Sequence, residues 1–297
     1  MSDDSAIAAP QVPKASRFTA GLVGLPLRVA IIATLVLLVA AFGSLVWTPH
    51  AVQQPNLTQQ LIAPGGSYLL GTDAQGRDVL SLILKGMLTS YVVAAVGSAV
   101  GLFIGVPLGL FAAWRGGLAD RLVGWAGGYL ATLPALAIAA LMATLSGPGA
   151  AAAMLAIGVA SIPIFARASR NAGTRLLRSD YFAAARLAGM SLWEAASHHV
   201  VPELRGVLLE RAAVAMGAAV VAEAALSFAG LAAQPGAMSL GLMLREAQSY
   251  LMFNPNLVLA PGIAIGLMAG LLHLIGDRLA AGRDSQALAL EDDDGAA

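Results

Sequence analysis

Six long apolar segments constrain the fold of this 297-residue chain more than any other feature of its sequence. A helix needs about 20 apolar residues to cross the hydrocarbon core of a bilayer. Segments near this length are residues 28–47, 89–114, 122–145, 150–165, 212–231 and 257–275. Hydrophobic residues make up 58% of the chain and charged residues 11%, which leaves too little polar surface to cover a soluble globule. We therefore expect an all-α, multi-pass membrane protein with about six transmembrane helices.

The distribution of lysine and arginine predicts which loops face the cytoplasm. With the N-terminus inside, the inner segments hold 14 of these residues, and the outer segments hold only Arg77, Lys85 and Arg245. Cytoplasmic loops of membrane proteins carry an excess of Lys and Arg. We therefore expect both termini in the cytoplasm, an outer loop over residues 48–88 and a large inner loop over residues 166–211.

The expected organisation is one membrane domain over residues 28–278 between cytoplasmic tails at residues 1–27 and 279–297. Within these tails, residues 1–16 and 284–297 have the composition of disordered segments. The first span is predicted to be an uncleaved anchor, because Trp47 and Pro49 follow it in place of a small-residue cleavage site. Pro107 and Pro134 lie inside predicted spans and are expected to kink them.

The inner loop contains the segment that is most informative about function. Residues 180–202 read DYFAAARLAGMSLWEAASHHVVP. The alanines favour a helix, Gly189 interrupts it, a second helical stretch follows, and Pro202 ends the pattern. A partly apolar helix on the water-facing side of a membrane protein indicates a surface that a partner protein covers.

The spacing in this segment resembles the "EAA" loop of bacterial ABC-importer permeases. Gly189 lies six residues after Ala183 and thirteen before Pro202, and His199 lies three before that proline. The resemblance implies a coupling helix that docks on an ATPase subunit. Ala183 stands where the family usually has glutamate, so apolar contacts are expected to contribute more to docking here. The implied coupling residues are Tyr181, Phe182, Ala183, Ala184, Ala185, Leu187, Gly189, Met190, His199 and Pro202.

Two further motifs are similar to those of the C-type permease of dipeptide, oligopeptide and nickel importers. Residues 70–81 read LGTDAQGRDVLS and residues 222–231 read AEAALSFAGL. The resemblance covers residues 69–278 and implies a permease in the bacterial inner membrane that forms half of a pathway for a periplasmic solute. The implied partners are a homologous B-type permease, two ATP-binding cassette subunits, a periplasmic solute-binding protein and membrane lipid, with no nucleic acid and no cofactor.

Small and acidic residues inside the spans mark expected packing or pathway positions. Gly97, Gly101, Gly105 and Gly109 lie on one helix face, where a helix of the same chain or of a second permease can approach closely. Residues 262, 266 and 270 repeat this glycine spacing. Glu223 is expected deep in the fifth span, either in a structural hydrogen-bond network or lining the pathway for a cationic solute.

The outer loop ends in a motif that we expect at the periplasmic face. Thr72 and Asp73 have the side chains of helix N-caps, and the residues after Asp78 are apolar, which predicts a short amphipathic helix before the second span. This helix either contacts the binding protein or only covers the bundle. The residues assigned to this face are Asp73, Gly76, Arg77 and Asp78.

Several activities are excluded by the residues that the sequence lacks. There is no cysteine, and the two lysines, Lys14 and Lys85, are outside any P-loop motif, so the chain has no ATPase site of its own. No catalytic constellation is recognised, and the adjacent pair His198 and His199 points in different directions on a helix, so no metal site is expected. An autonomous secondary transporter and a membrane-embedded enzyme remain as alternative functions.

The charge distribution makes a direct prediction about topology. Single cysteines in place of Ser67 and Ser179 of this cysteine-free chain should react with a membrane-impermeant maleimide from opposite sides, Ser67→Cys from outside. The measurement is labelling of intact cells against labelling of inverted vesicles. Reaction of both cysteines from the same side would contradict the six-span arrangement.

Overall fold

The computed structural model describes residues 26–52, 55–179, 182, 201–232 and 238–294. Its helices are α1 (Leu27–Gly43), α2 (Val79–Arg115), α3 (Gly117–Thr132), α4 (Ala135–Ser146), α5 (Ala150–Leu177), α6 (Val201–Phe228), α7 (Leu240–Ala247) and α8 (Asn256–Asp294). Single 3-10 turns occur at Leu57–Gln59 and Gln248–Tyr250. The described residues contain no strand, only isolated bridges between Gly65 and Tyr68 and between Thr72 and Asp78. The all-α prediction is confirmed.

Each of the six predicted apolar segments overlaps a helix, although α1 ends at Gly43 and α6 at Phe228, a few residues before the predicted ends. By length and composition, α2, α5 and the part of α8 up to Arg283 are long and apolar enough to cross a membrane. Helix α1 and the Leu136–Leu145 part of α4 are shorter apolar helices. The chain is therefore a polytopic membrane protein, and α2, α5 and α8 are its candidate spanning helices among the described residues.

The third predicted span is broken into two helices. Helix α3 ends at Thr132, and Leu133 and Pro134 adopt extended backbone conformations before α4 begins. A proline cannot donate a backbone hydrogen bond, and the residue before it avoids the helical region, so the break falls where the kink was expected. A tight turn at Gly147–Gly149 then joins α4 to α5, as a helical hairpin requires.

Several helices extend beyond the apolar segments that identified them. Helix α5 continues twelve residues past the predicted end, because the polar residues after position 165 continue its regular hydrogen bonding. Helix α8 continues to Asp294, so the prediction of disorder over residues 284–297 is wrong as far as Asp294. The apolar stretch sets the minimum length of a membrane helix. The helix propensity of the residues outside the bilayer then decides where the helix ends.

The outer loop also differs from expectation. No short helix begins at Thr72 and Asp73; instead Asp78 caps α2, and its Oδ2 accepts a hydrogen bond from Ser81 N at 3.1 Å. The Thr72 hydroxyl is used elsewhere, because it accepts from Ile62 N at 2.8 Å within the loop. The residues predicted to form an amphipathic helix are thus the first turns of α2 itself.

The most extensive helix contact in the described part of the chain joins α2 to α5. The glycine stripe of α2 faces α5 along its whole length. A Cβ on Gly97 would lie 2.7 Å from Ile157 Cγ2, and a Cβ on Gly105 would lie 2.6 Å from Ile162 O. Lipid provides no hydrophobic drive for helix association, so this close backbone approach supplies the packing attraction. The stripe therefore packs within the chain.

The glycines of α8 behave differently. A Cβ on Gly262 or Gly266 would meet no other atom within 4 Å. Nearby side chains on the same helix are also open, with Leu259 at 54% and Ile263 at 59% exposure. The same four-residue glycine spacing therefore packs closely against another helix in α2 but lies on an open helix face at Gly262 and Gly266 of α8.

This contrast gives a matched pair of substitutions. Gly105→Ala should lower the melting temperature of the detergent-solubilised protein by several degrees, because its methyl group meets the α5 backbone and such overpacking costs about 1–3 kcal/mol. Gly266→Ala should leave the melting temperature unchanged or raise it slightly, since alanine favours the helix and the space is open. Equal melting temperatures for wild type and Gly105→Ala would contradict the packing account.

Candidate functional site

The predicted coupling loop lies between α5 and α6, and most of it falls outside the described residues. Phe182 and Pro202 are described, and Pro202 occupies the first turn of α6, where a proline needs no hydrogen-bonded N–H. The predicted coupling residues outside the described part are Tyr181, Ala183, Ala184, Ala185, Leu187, Gly189, Met190 and His199. The described part of the site therefore consists of α5, which leads into the loop, and α6, which leads out of it.

A short turn leads from α5 into this loop. The Ser179 hydroxyl donates to Leu176 O at 2.7 Å, which satisfies a carbonyl at the end of the helix. Phe182 N then donates to Ser179 O at 3.1 Å. The Phe182 side chain is only 4% exposed, so it is buried within its own chain at the entry of the loop.

An ion pair ties the loop-side end of α5 to α3. The Arg170 guanidinium faces the Asp120 carboxylate with two donors, Nε to Oδ1 and Nη2 to Oδ2, the latter at 2.7 Å. Asp120 lies in the first turn of α3, where the helix dipole favours a negative charge. The hydrogen bond from Arg170 lowers the pKa of the Asp120 carboxyl below its usual range. The pair is two-pronged and stays ionised at neutral pH.

A second ion pair ties α6, the helix after the loop, to α8. Glu210 is 4% exposed, and its Oε2 lies 2.7 Å from Arg283 Nη2 on α8. Arg211 Nη2 lies 3.2 Å from Glu210 Oε1. Two arginines thus neutralise a buried carboxylate, which would be costly without them. Both helices that flank the loop are therefore held to a neighbouring helix by charged groups.

Glu223 lies deeper in α6 and is 1% exposed. Three serine hydroxyls donate to its carboxylate: Ser90 of α2 to Oε2 at 2.6 Å, Ser227 to Oε1 at 2.6 Å, and Ser239 to Oε1 at 2.9 Å. These bonds replace the water that a carboxylate would otherwise require. The sequence left two roles open for Glu223, a structural one and one in lining the pathway. This hydrogen-bond network supports the structural role.

A nearby cavity shows that Glu223 belongs to a different face of α6. This cavity, about 190 Å³, lies between α5 and α6 and is almost entirely apolar. On α6 it is lined by Ala215, Ala218, Ala219, Ala222 and Leu226, a single helix face. Glu223 is absent from this lining and points towards Ser90 of α2 instead.

The four residues assigned to the periplasmic face form one tight turn before α2. Asp73 Oδ1 accepts from Arg77 N at 2.8 Å, and Asp73 Oδ2 accepts from Arg77 Nε at 2.7 Å. Gly76 has a φ of 74°, and a Cβ there would lie 2.7 Å from the carbonyl carbon of Asn56, so glycine is required. Asp78 is buried, and its Oδ2 lies 3.3 Å from His50 Nδ1.

Sequence reasoning missed most of the partners in these contacts. Ser227 could be predicted as a partner of Glu223, because it follows Glu223 by one helical turn. Ser90, Ser239, Glu210 and His50 contact residues that are distant in sequence or lie in irregular loops, and no local pattern marks them. Glu246 likewise contacts Arg77, which is far away in the chain.

Comparison with known proteins identifies a family and several relatives. Residues 105–284 match the family described as "Binding-protein-dependent transport system inner membrane component". The glutathione transport system permease protein GsiD of Pectobacterium atrosepticum is 33% identical over 216 residues, covering 73% of this chain and 72% of the relative. The probable D,D-dipeptide transport system permease protein DdpC of Escherichia coli is 31% identical over 286 residues, covering 93% of this chain and 94% of the relative.

A solved structure has a similar fold. A chain of the MetNI methionine ABC transporter, in an inward-facing conformation, matches with a TM-score of 0.55. The match covers 67% of this chain and 95% of that chain, at 21% sequence identity. The likeness establishes the fold alone.

The serine cluster predicts the response to substitutions at Glu223. Glu223→Gln should assemble nearly as well as the wild type, because the amide oxygen still accepts hydrogen bonds. Glu223→Leu should lower the melting temperature and the yield of membrane-inserted protein, because each buried hydroxyl left without a partner costs about 1–3 kcal/mol.

A matched control separates hydrogen bonding from side-chain shape. Alanine at Ser90, Ser227 and Ser239 in the Glu223→Leu background removes the unpaired hydroxyls and should recover part of the lost stability. Wild-type stability of Glu223→Leu itself would argue against a structural role for the carboxylate.

Proposed function

Because the chain belongs to the family of binding-protein-dependent transport system inner membrane components, we propose that it forms half of a translocation pathway that carries a periplasmic solute inward. It is a C-type permease subunit of an ABC importer. ATP hydrolysis takes place on partner subunits, since the sequence has only two lysines and neither is in a P-loop.

The proposed complex contains four kinds of partner. A homologous B-type permease supplies the other half of the pathway, and two ATP-binding cassette subunits lie on the cytoplasmic side. A solute-binding protein delivers the solute on the periplasmic side, and lipid surrounds the apolar helices of α2, α5 and α8. The proposed location is the bacterial inner membrane with both termini in the cytoplasm, in agreement with the distribution of Lys and Arg.

Small peptides are the proposed substrate class. The relatives are named as permeases for glutathione, D,D-dipeptides and dipeptides. The resemblance of residues 70–81 and 222–231 extends to nickel importers, so a peptide and a nickel complex are the two solutes to compare in uptake experiments. Selectivity is assigned largely to the binding protein that delivers the solute.

The attachment of the coupling loop to the bundle carries the proposed mechanism. Helix α5 leads into the loop and is paired to α3 through Arg170 and Asp120, whereas α6 leads out of it and is paired to α8 through Glu210 and Arg283. Closure of the ATPases on ATP moves the loop, and these contacts pass the movement to four helices together. In this proposal Phe182 anchors the loop from inside, whereas Tyr181 and Leu187 provide apolar contact with the ATPase.

The coupling loop gives the main test of this function. Gly189→Val should abolish uptake of a labelled dipeptide while the protein still inserts and assembles, because bulk at the bend misaligns the two halves of the loop. Cysteines at Ala184 or Met190 should crosslink to the ATPase subunit, with a yield that changes when ATP is bound and hydrolysis is blocked.

A control variant is Gly282→Val, in the part of α8 that follows the predicted span. A Cβ on Gly282 would meet no other atom within 4 Å, so this change adds the same bulk at an open site and should leave uptake unchanged. An assembled complex that imports normally with Gly189→Val, and in which neither cysteine crosslinks, would remove the loop from the mechanism.

A further inference from the structure

Helix α7 is inserted at one end between two long helices. Leu240 at its start is fully buried, and Gly86 of α2 lies against it, because a Cβ there would be 3.1 Å from Leu240 N. Gly241 lies against α6, where a Cβ would be 2.8 Å from the carbonyl carbon of Ala224. Glycine on both sides lets the three backbones meet closely. The first turn of α7 is therefore wedged between α2 and α6.

A buried hydrogen bond anchors this inserted end. Ser239 precedes α7 in the N-cap position, yet its hydroxyl makes no cap bond to the helix. It donates instead to Glu223 Oε1 at 2.9 Å, and both residues are 1% exposed. Hydrogen bonds to a buried carboxylate are strong and costly to break. The start of α7 is thus firmly attached to α6.

The other end of α7 has a weaker attachment. Glu246 Oε2 lies 3.3 Å from Arg77 Nη2, and the Glu246 side chain is 46% exposed. Arg77 itself is held in place by Asp73, which accepts from its Nε at 2.7 Å. Exposed ion pairs contribute little to stability, since water competes for both charges. Beside this pair, Ala247 is buried in the hydrophobic core with only its methyl side chain, so this end of α7 is held by a small apolar contact and one exposed ion pair. The ion pair can break without disturbing the turn at residues 73–78, because Asp73 still holds Arg77.

A cavity lies between α7 and this turn. Its volume is about 430 Å³, and Arg77 and Glu246 are both in its lining. Asp73 and Gln75 contribute from the turn, and Ala247 contributes from α7. The remaining walls come from α2, from α8 and from the residues after α7. The ion pair thus connects two sides of one cavity.

We propose that α7 is a lid over this cavity, anchored at Ser239 by Glu223 and latched at Glu246 by Arg77. Opening breaks the exposed latch and keeps the buried anchor, so the Glu246 end of α7 swings away from the turn. The assignment of this movement to the import cycle rests on the proposed function. The two attachments of α7 are observed contacts and do not depend on that function.

Labelling of a cysteine at Ala247 tests the latch. Ala247 is 5% exposed and lines the cavity, so Ala247→Cys should react slowly with a membrane-impermeant maleimide in the reconstituted complex. Adding Glu246→Gln removes the ion pair, and the labelling rate should rise about two- to five-fold, the factor that corresponds to a surface salt bridge. An unchanged rate would overturn the latch.

Arg245→Gln is the matched control on the same helix. Arg245 lies near Gly230 and takes no part in the Arg77 contact, so Arg245→Gln combined with Ala247→Cys should label at the rate of Ala247→Cys alone. A rise equal to that of Glu246→Gln would mean that any charge loss loosens α7, and it would also overturn the proposal.

A reversible crosslink tests whether the lid moves during import. Cysteines at Arg77 and Glu246, joined by a short bifunctional methanethiosulfonate, should block uptake of a labelled dipeptide, and reduction should restore it. Unchanged uptake by the crosslinked complex would overturn the role of the lid in import. Absence of uptake in the wild-type complex would instead count against the proposed substrate, and the maleimide experiment would still test the lid.

Discussion

The close approach of α2 and α5 positions the other helices of this chain. Apolar side chains gain little by leaving lipid for another apolar surface, so association depends on fitted contact and on polar groups. The glycines of α2 allow such contact over more than three turns of helix, and α2 also contacts α1, α3, α6, α7 and α8. Helix α2 is thus the helix with the most neighbours in the described part of the chain, and a change in its distance from α5 would alter its contacts with these five helices as well.

Charged and polar contacts join further pairs of helices, both next to the coupling loop and in the interior of the bundle. On the side of the coupling loop, Asp120 with Arg170 and Glu210 with Arg283 join neighbouring helices through ionised groups. In the interior, serine hydroxyls surround Glu223 instead of a basic residue. This difference agrees with their surroundings, because a guanidinium can reach water near the end of a helix but is costly in the hydrocarbon region.

The features that the sequence predicted are those set by local pattern. Apolar length located the helices, four-residue glycine spacing identified the packing face of α2, and Pro134 marked the break between α3 and α4. The errors have physical causes as well. Thr72 is a good N-cap residue, but its hydroxyl is bonded within the outer loop, and Asp78 caps the helix instead. The partners of Glu223 and Arg77 depend on how distant segments pack, which no periodicity records.

Helix α6 connects the two ends of the proposed mechanism. It begins at Val201, directly after the coupling loop, and it carries Glu223, the anchor of α7, 22 residues later. At a rise of about 1.5 Å per residue, these two points lie about 33 Å apart along one continuous helix. A tilt of α6 at the loop therefore displaces the Glu223 end as a lever does, and the buried bond to Ser239 passes that displacement to α7. The weak contact at Glu246 is the one that yields, because it is exposed and involves a single pair of charges. Because the anchor is stronger than the latch, movement of the inner loop should release the Glu246 end of α7 and leave its Ser239 end attached.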